Sequence, residues 1–285
     1  MIVTAQTDLI DLPVLKAQNK IFELVECVGS NPYNRDKLRD AIVALYNGKA
    51  EKSVFRGMAI PTLRRLGLII GFGELIRLSA NGKLIFEALK LSRQHAKRAL
   101  GTIVYEIDTL EIGFIDKLSN KQNWPHAKLI DFFIPKVNAP NPRSARERIK
   151  DWVGLLGYCD LFIARNDEIL LDRKMIQQIA GDADYKKKSR PFKNLLIPAY
   201  NQLVKRTRGM QSHPIEDLRA EMAMKMLIQH KQILTEKQFD ELLVQFPKTT
   251  SDYLISFGRS MGADEKLFLL NGKYFQTISI RFFHQ

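Results

Sequence analysis

The chain is poor in cysteine: Cys27 and Cys159 are the only two in 285 residues, far apart and without a Cys-x-x-Cys spacing. That excludes a disulfide framework and a cysteine-rich zinc site, and it suits a reducing cytoplasm. His95, His126, His213, His230 and His284 are scattered with no ligand spacing between any two of them. There is no Gly-x-x-x-x-Gly-Lys phosphate loop and no Gly-x-Ser-x-Gly elbow. No apolar run approaches the roughly 20 residues that cross a bilayer. Met1 to Asp8 lacks the basic-then-apolar order of a signal peptide. The expectation is a soluble, intracellular protein of two or three small domains, with no complete active site.

Acidic residues are also in deficit. Against 44 Lys and Arg stand 31 Asp and Glu, a net charge of +13. A phosphate backbone is the commonest polyanion that such a surface meets, so nucleic acid leads the list of partners. The imbalance peaks between Tyr185 and Ile215, where no acid occurs. Lys186, Lys187, Lys188, Arg190, Lys193, Lys205 and Arg206 of this run read as phosphate contacts on a basic linker, 181–213.

What is present is a recurring pattern of amphipathic helices followed by a strand, a tight turn and a second strand. That is the trace of a winged helix, in which a third helix usually enters the major groove and a β-hairpin forms the wing. The expected fold is mainly α with small β-hairpins, in tandem winged-helix subdomains. Residues 1–32 form an N-terminal arm and lead helix, and the first module spans 33–105. There, Asp36 to Tyr46 has helical spacing, Ile60 to Gly67 reads as a short helix, and Ile69-Ile70 with Leu75 to Leu78 reads as the hairpin. A further helix follows from Leu84 to Leu91.

The second module, 106–180, has helical segments at 109–118 and 126–135, then Arg143 to Leu156. Its wing is Leu161 to Ala164 with Ile169 to Leu171. The third, 214–285, opens at Pro214, with a second helix capped by Thr235 and a third, Ser251 to Gly262, capped by Thr250 or Ser251. Its hairpin carries Asn271-Gly272, a strong two-residue turn signal.

A metal-dependent nuclease needs paired acids and a nearby lysine. Asp172-Arg173-Lys174, with Asp160 twelve residues ahead, matches only half of that pattern, and no Pro-Asp pair precedes it. Base reading is better supported. Arg and Lys match guanine, Asn and Gln match adenine, and the reader must sit near the start of a docked helix or on an arm in a groove. Asn138, Asn141, Arg143, Ser144 and Arg146 meet that condition in the second module, and Arg56, Thr62 and Arg65 in the first. Thr4, Gln6, Thr7 and Asn19 of the arm are further base candidates, with Lys16 and Lys20 as phosphate contacts.

The phrases IPTLRRLGLI and ELIRLSANGK, and RSARERIKDWVGLLGYCDLFI with Trp152 and Leu156-Gly157, resemble the DNA-recognition portion of FokI-like type IIS restriction endonucleases. The resemblance implies that an arm, here Thr4 to Lys20, and helices, here Asn138 to Arg146, read an asymmetric site in double-stranded DNA through the major groove. It also implies a prokaryotic cytoplasm and a separate nuclease domain that uses Mg²⁺. The 285 residues carry no counterpart of that domain, so it is expected elsewhere in a longer enzyme or in a partner subunit. The alternatives are a winged-helix transcriptional regulator, which would favour symmetric half-sites, and a protein-binding scaffold, against which the charge argues.

Overall fold

A computed structural model describes residues 9–46, 52–111, 123–165, 168–259 and 266–283. The architecture is mainly helical, with small antiparallel sheets. Helix α1 (Ile21–Ser30) is followed by α2 (Arg35–Ala44), whose first turn is capped by Asn34 accepting the Lys37 N–H at 3.0 Å. A π-helical stretch, Lys52–Ala59, runs directly into α3 (Ile60–Arg65), where Pro61 sits in the first turn and costs no hydrogen bond. Gly67, at φ +67°, ends α3 in the paired 6→1 and 5→2 hydrogen bonds from Leu68 to Leu63 and from Gly67 to Arg64. Strands β1 (Ile69–Ile70) and β2 (Arg77–Leu78) form the expected hairpin. Helix α4 (Ala80–Leu91) starts four residues earlier than its apolar spacing suggests, because Ser79 caps it. Gly82 is required there: a Cβ would lie 2.1 Å from the Leu68 carbonyl oxygen.

Helix α5 (Arg93–Glu111) crosses residues 105 and 106, where the sequence places a module boundary. Of the helix expected over 109–118, residues 112–118 lie outside the described residues. Then come β3 (Asn123–Pro125), α6 (His126–Phe133), α7 (Pro142–Tyr158), β4 (Phe162–Arg165), β5 (Glu168–Leu171) and α8 (Arg173–Ala183). The three strands form an antiparallel sheet in the order β3-β5-β4. The first two modules do not have separate cores. A single apolar cluster runs from Ile10 through Trp152 to Ile179 and takes in Ala223, Leu227 and Ile233 of the last third.

Two expectations for the last third are corrected. The basic linker is a helix: α9 spans Ser189–Arg206. Phe192, Leu195, Leu196, Ala199, Tyr200 and Leu203 recur at helical spacing within the basic run and are all buried. After α9 come β6 (Ser212–Pro214), α10 (Ile215–His230) and α11 (Glu236–Gln245). The expected third helix, Ser251 to Gly262, is instead strand β7 (Tyr253–Gly258), with residues 260–262 outside the described set. The Thr250 hydroxyl accepts the N–H groups of Asp252 and Tyr253, making a tight turn rather than a helix cap. The aromatic and β-branched run that follows pairs along its whole length with β10 (Thr277–Phe282). Between them, β8 (Phe268–Leu270) and β9 (Lys273–Phe275) form a hairpin about Asn271-Gly272, both with positive φ. The sheet order is β6-β10-β7.

The last third is locked to the rest by buried polar groups. The first turn of α4 donates Ala80 N–H to Glu216 and Asn81 N–H to Glu236 (2.8 Å), and the Asn81 side chain accepts the Glu236 N–H at 3.0 Å. Two carboxylates thus satisfy the positive end of α4. Arg219 spans Asp240 (2.9 and 2.7 Å), Glu216 (3.1 Å) and the Lys266 carbonyl (2.8 Å).

Candidate nucleic-acid interface

Residues 9–20 are a strap rather than a loose arm. The Ile10 N–H donates to the Lys136 carbonyl at 2.6 Å, and the Asn138 N–H donates to the Ile10 carbonyl at 2.8 Å. Leu12, Leu15 and Ala17 enter the core. On α7, Asp151 accepts the Leu15 N–H at 3.1 Å and the Gln18 side chain at 3.5 Å, and burial raises its pKa. Arg148 donates to the carbonyls of Leu12 (3.3 Å) and Asn138 (2.8 Å), and Arg65 donates to that of Val14 at 3.3 Å. The strap is therefore held by α7 on one side and by the end of α3 on the other. Lys16 and Asn19 are exposed on it. Lys20 turns inward, donating to the Leu45 carbonyl with its ammonium 4.6 Å from the Tyr46 ring centroid, which engages the charge meant for a phosphate. Thr4, Gln6 and Thr7 lie outside the described residues.

Beside the strap, Arg56, Arg64 and Arg65 line a hollow with Phe55, Ile60 and Pro61. Arg56 and Arg65 are exposed. Arg64 is tied to the hairpin, donating to the Gly71 carbonyl at 2.7 Å with its guanidinium 4.1 Å from the Phe72 ring centroid. Thr62 is no base reader: at 1% exposure it faces the core. The apolar face of α3 includes its position, with Leu63 and Ile60 beside it.

The start of α7 is open. Asn138, Asn141, Arg143 and Arg146 are exposed, and Ser144 is half-buried. Asn141 is the helix cap, its Oδ1 accepting the Ser144 N–H at 2.9 Å. Half of the donor–acceptor pair that would match adenine is engaged there. Arg146 pairs with Asp131 at 3.0 Å, and Arg143 lies 3.6 Å from Glu147. Both pairs are largely solvated and hold little energy, so a phosphate or base edge can replace the acid.

The second basic surface belongs to α9 and the turn before it. Arg190, Lys193 and Lys205 are exposed on the face opposite the apolar stripe, and Lys186 and Lys187 are exposed on the turn. Two members of the run face elsewhere. Arg206 pairs at 2.7 Å with Glu221, whose side chain is 2% exposed. Lys188 is buried and donates to the carbonyls of Asp182 and Ile233 and to the Gln238 side chain. Burial pushes its pKa down to about 8, with Asp182 and Glu106 opposing the shift. It is a structural lysine, unavailable to a phosphate.

The residues that the sequence reading left out are Arg148, Asp151 and Arg64. Arg148 lies four residues after Ser144, one helical turn further along α7. The half-motif of a nuclease is accounted for structurally. Asp172 caps α8 by accepting the Met175 N–H at 3.0 Å, and Asp160 pairs with Lys97 at 2.7 Å. No family model, no curated protein and no solved structure matches the chain.

Proposed function

We propose that the chain recognises double-stranded DNA through tandem winged-helix units and reads an asymmetric target for a type IIS restriction endonuclease. The observation that carries the reading is the pair of arginine-bearing helices on either side of one strap, Arg56 to Arg65 and Arg143 to Arg148. Chain order supports it. Among the described residues, 93–171 run helix, strand, helix, helix, strand, strand, and 189–282 run in the same order with the β8–β9 hairpin inserted before the last strand; in each, the last strand lies in the middle of its sheet. That is the order of a winged helix with its first strand paired to its last. On this reading the third helices are the π-helical stretch with α3, then α7, then α11.

They are not equivalent. The start of α11 is bonded to Asn81, so its unit braces the first one and does not read. The exposed face of α9 holds the phosphate backbone. Two unlike readers in one chain suit a target without symmetry. A nuclease domain or subunit, with its Mg²⁺, would act from outside these residues.

The test is affinity for duplex DNA across salt concentrations. Log affinity should fall linearly with log salt, at about 0.9 unit of slope for each phosphate neutralised. A flat response would overturn the reading. So would cleavage of plasmid by the chain that is lost in Asp172→Ala, because that aspartate is assigned only to a helix cap.

A further inference from the structure

We infer that the cleft between Arg65 and Arg148 is a binding site for a single phosphodiester of the DNA backbone, clamped by one guanidinium from each reading helix. The inference rests on the DNA reading above and adds a site to it. The cleft, about 340 Å³, is lined by Asp11, Leu12, Pro13, Arg65, Ile107 and Arg148. Arg65 ends α3 and Arg148 lies on α7, so two elements remote in sequence supply the two cations. Both are anchored to strap carbonyls only two residues apart, those of Leu12 and Val14.

Those anchors tether the guanidinium groups without cancelling their charge, since a carbonyl accepts a hydrogen bond but carries no formal charge. Among the described residues, the only carboxylate lining the cleft is that of Asp11. It lies 3.6 Å from Arg148, and its side chain is 66% exposed, so it can swing into solvent at little cost. Among the described residues, one positive charge is thus left over in the cleft. Paired guanidinium forks suit the several oxygens of a phosphate, which one lysine would meet only as a point charge. The cleft adjoins the hollow lined by Arg56 and Arg64, because Arg65 borders both, so a bound phosphate would lie on the path of a duplex touching either helix.

This role differs from base reading, which the sequence assigns to Arg65. A duplex recovered from a random pool can be ethylated at random phosphates and partitioned by binding to the wild-type chain, Arg65→Gln, Arg148→Gln and the double variant. The expected result is one phosphate whose ethylation blocks wild-type binding and becomes indifferent in both single variants. Each single variant should lose roughly tenfold in affinity, and the double variant well short of roughly a hundredfold, because both act on one group. The salt slope of the double variant should fall by about one unit, not two.

Because Arg148 also anchors the strap, Arg148→Lys keeps the charge without the fork, and Arg65→Gln alters an exposed side chain. These two should show the same loss at the same phosphate. Interference lost at different phosphates, interference unchanged, or a base preference altered at one position by Arg65→Gln would overturn the clamp while leaving DNA binding intact. Failure of the wild-type chain to bind any duplex would remove the DNA reading itself, and the clamp with it.

Discussion

Thr62 and Lys188 show how burial decides what a polar side chain does. Both are polar, and both stand where sequence reasoning expects contact with DNA. The Thr62 hydroxyl is buried without a hydrogen-bond partner among the described residues. Replacing it with an isosteric apolar group removes a desolvated hydroxyl, so Thr62→Val should keep stability within about 1 kcal/mol or raise it. DNA affinity should be unchanged, and a loss of specificity at one base position would restore Thr62 as a reader. Lys188 is held by the Asp182 and Ile233 carbonyls and by Gln238, with its pKa lowered to about 8 by burial.

The sign of the pH effect follows from that shift. An unfolded lysine titrates near about 10.4, so between the two values the folded protein has released a proton that the unfolded chain keeps. Stability contributed by this group therefore rises with pH from about 8 to about 10, and below pH 8 the full penalty of a buried charge remains. Lys188→Met should cost about 3 kcal/mol at neutral pH, because the groups around it lose their partner. Denaturant titrations of both proteins check the pH effect, since wild-type stability minus that of the variant should grow over the same pH range. The salt slope of DNA binding should not change, and a shallower slope in Lys188→Met would make it a phosphate contact after all.

At the scale of elements, what was legible followed the strength of local signals. The hairpin of 69–78 and the turn at Asn271-Gly272 were readable because glycine and asparagine at positive φ punctuate the chain. Helix α7 was readable from Ile149, Trp152, Val153 and Leu156 on one face. Helix α9 was hidden because charge drew attention away from an equally regular apolar stripe. Strand β3, three residues ending in proline, has no local signature, and its pairing with β5 is set by tertiary contact. Strand β7 was misread because a threonine before an apolar run signals a helix cap and a tight turn alike. The exposed face of α9 yields a prediction at this scale. Replacing Arg190, Lys193 and Lys205 together with Gln should weaken all duplexes alike and lower the salt slope by up to about three units. A change in preference among single-base variants of the target would mean that α9 reads rather than holds.

For the molecule as a whole, three modules in line are expected from the sequence, whereas the structure joins the first two, with Ala223, Leu227 and Ile233 of the third, in one apolar cluster and clasps the third to α4 through Glu216, Glu236 and Asn81. That clasp was not legible, because its members are ordinary surface residue types and lie more than a hundred positions apart. The candidate site was legible in part. Arg56, Arg65, Arg143 and Arg146 are exposed where expected, but the strap that fixes their spacing is a product of long-range bonds through Arg148 and Asp151. On the proposed reading, a fixed spacing between two unlike helices leaves little freedom for a symmetric target.

The most direct test of the account is therefore selection of bound duplexes from a random pool by the wild-type chain, followed by sequencing. The account predicts enrichment of one asymmetric sequence, bound by one chain per duplex, with Arg143→Ala and Arg146→Ala relaxing preference within a single continuous part of it. Enrichment of palindromic half-sites bound by two chains, or no enrichment at all, would contradict it.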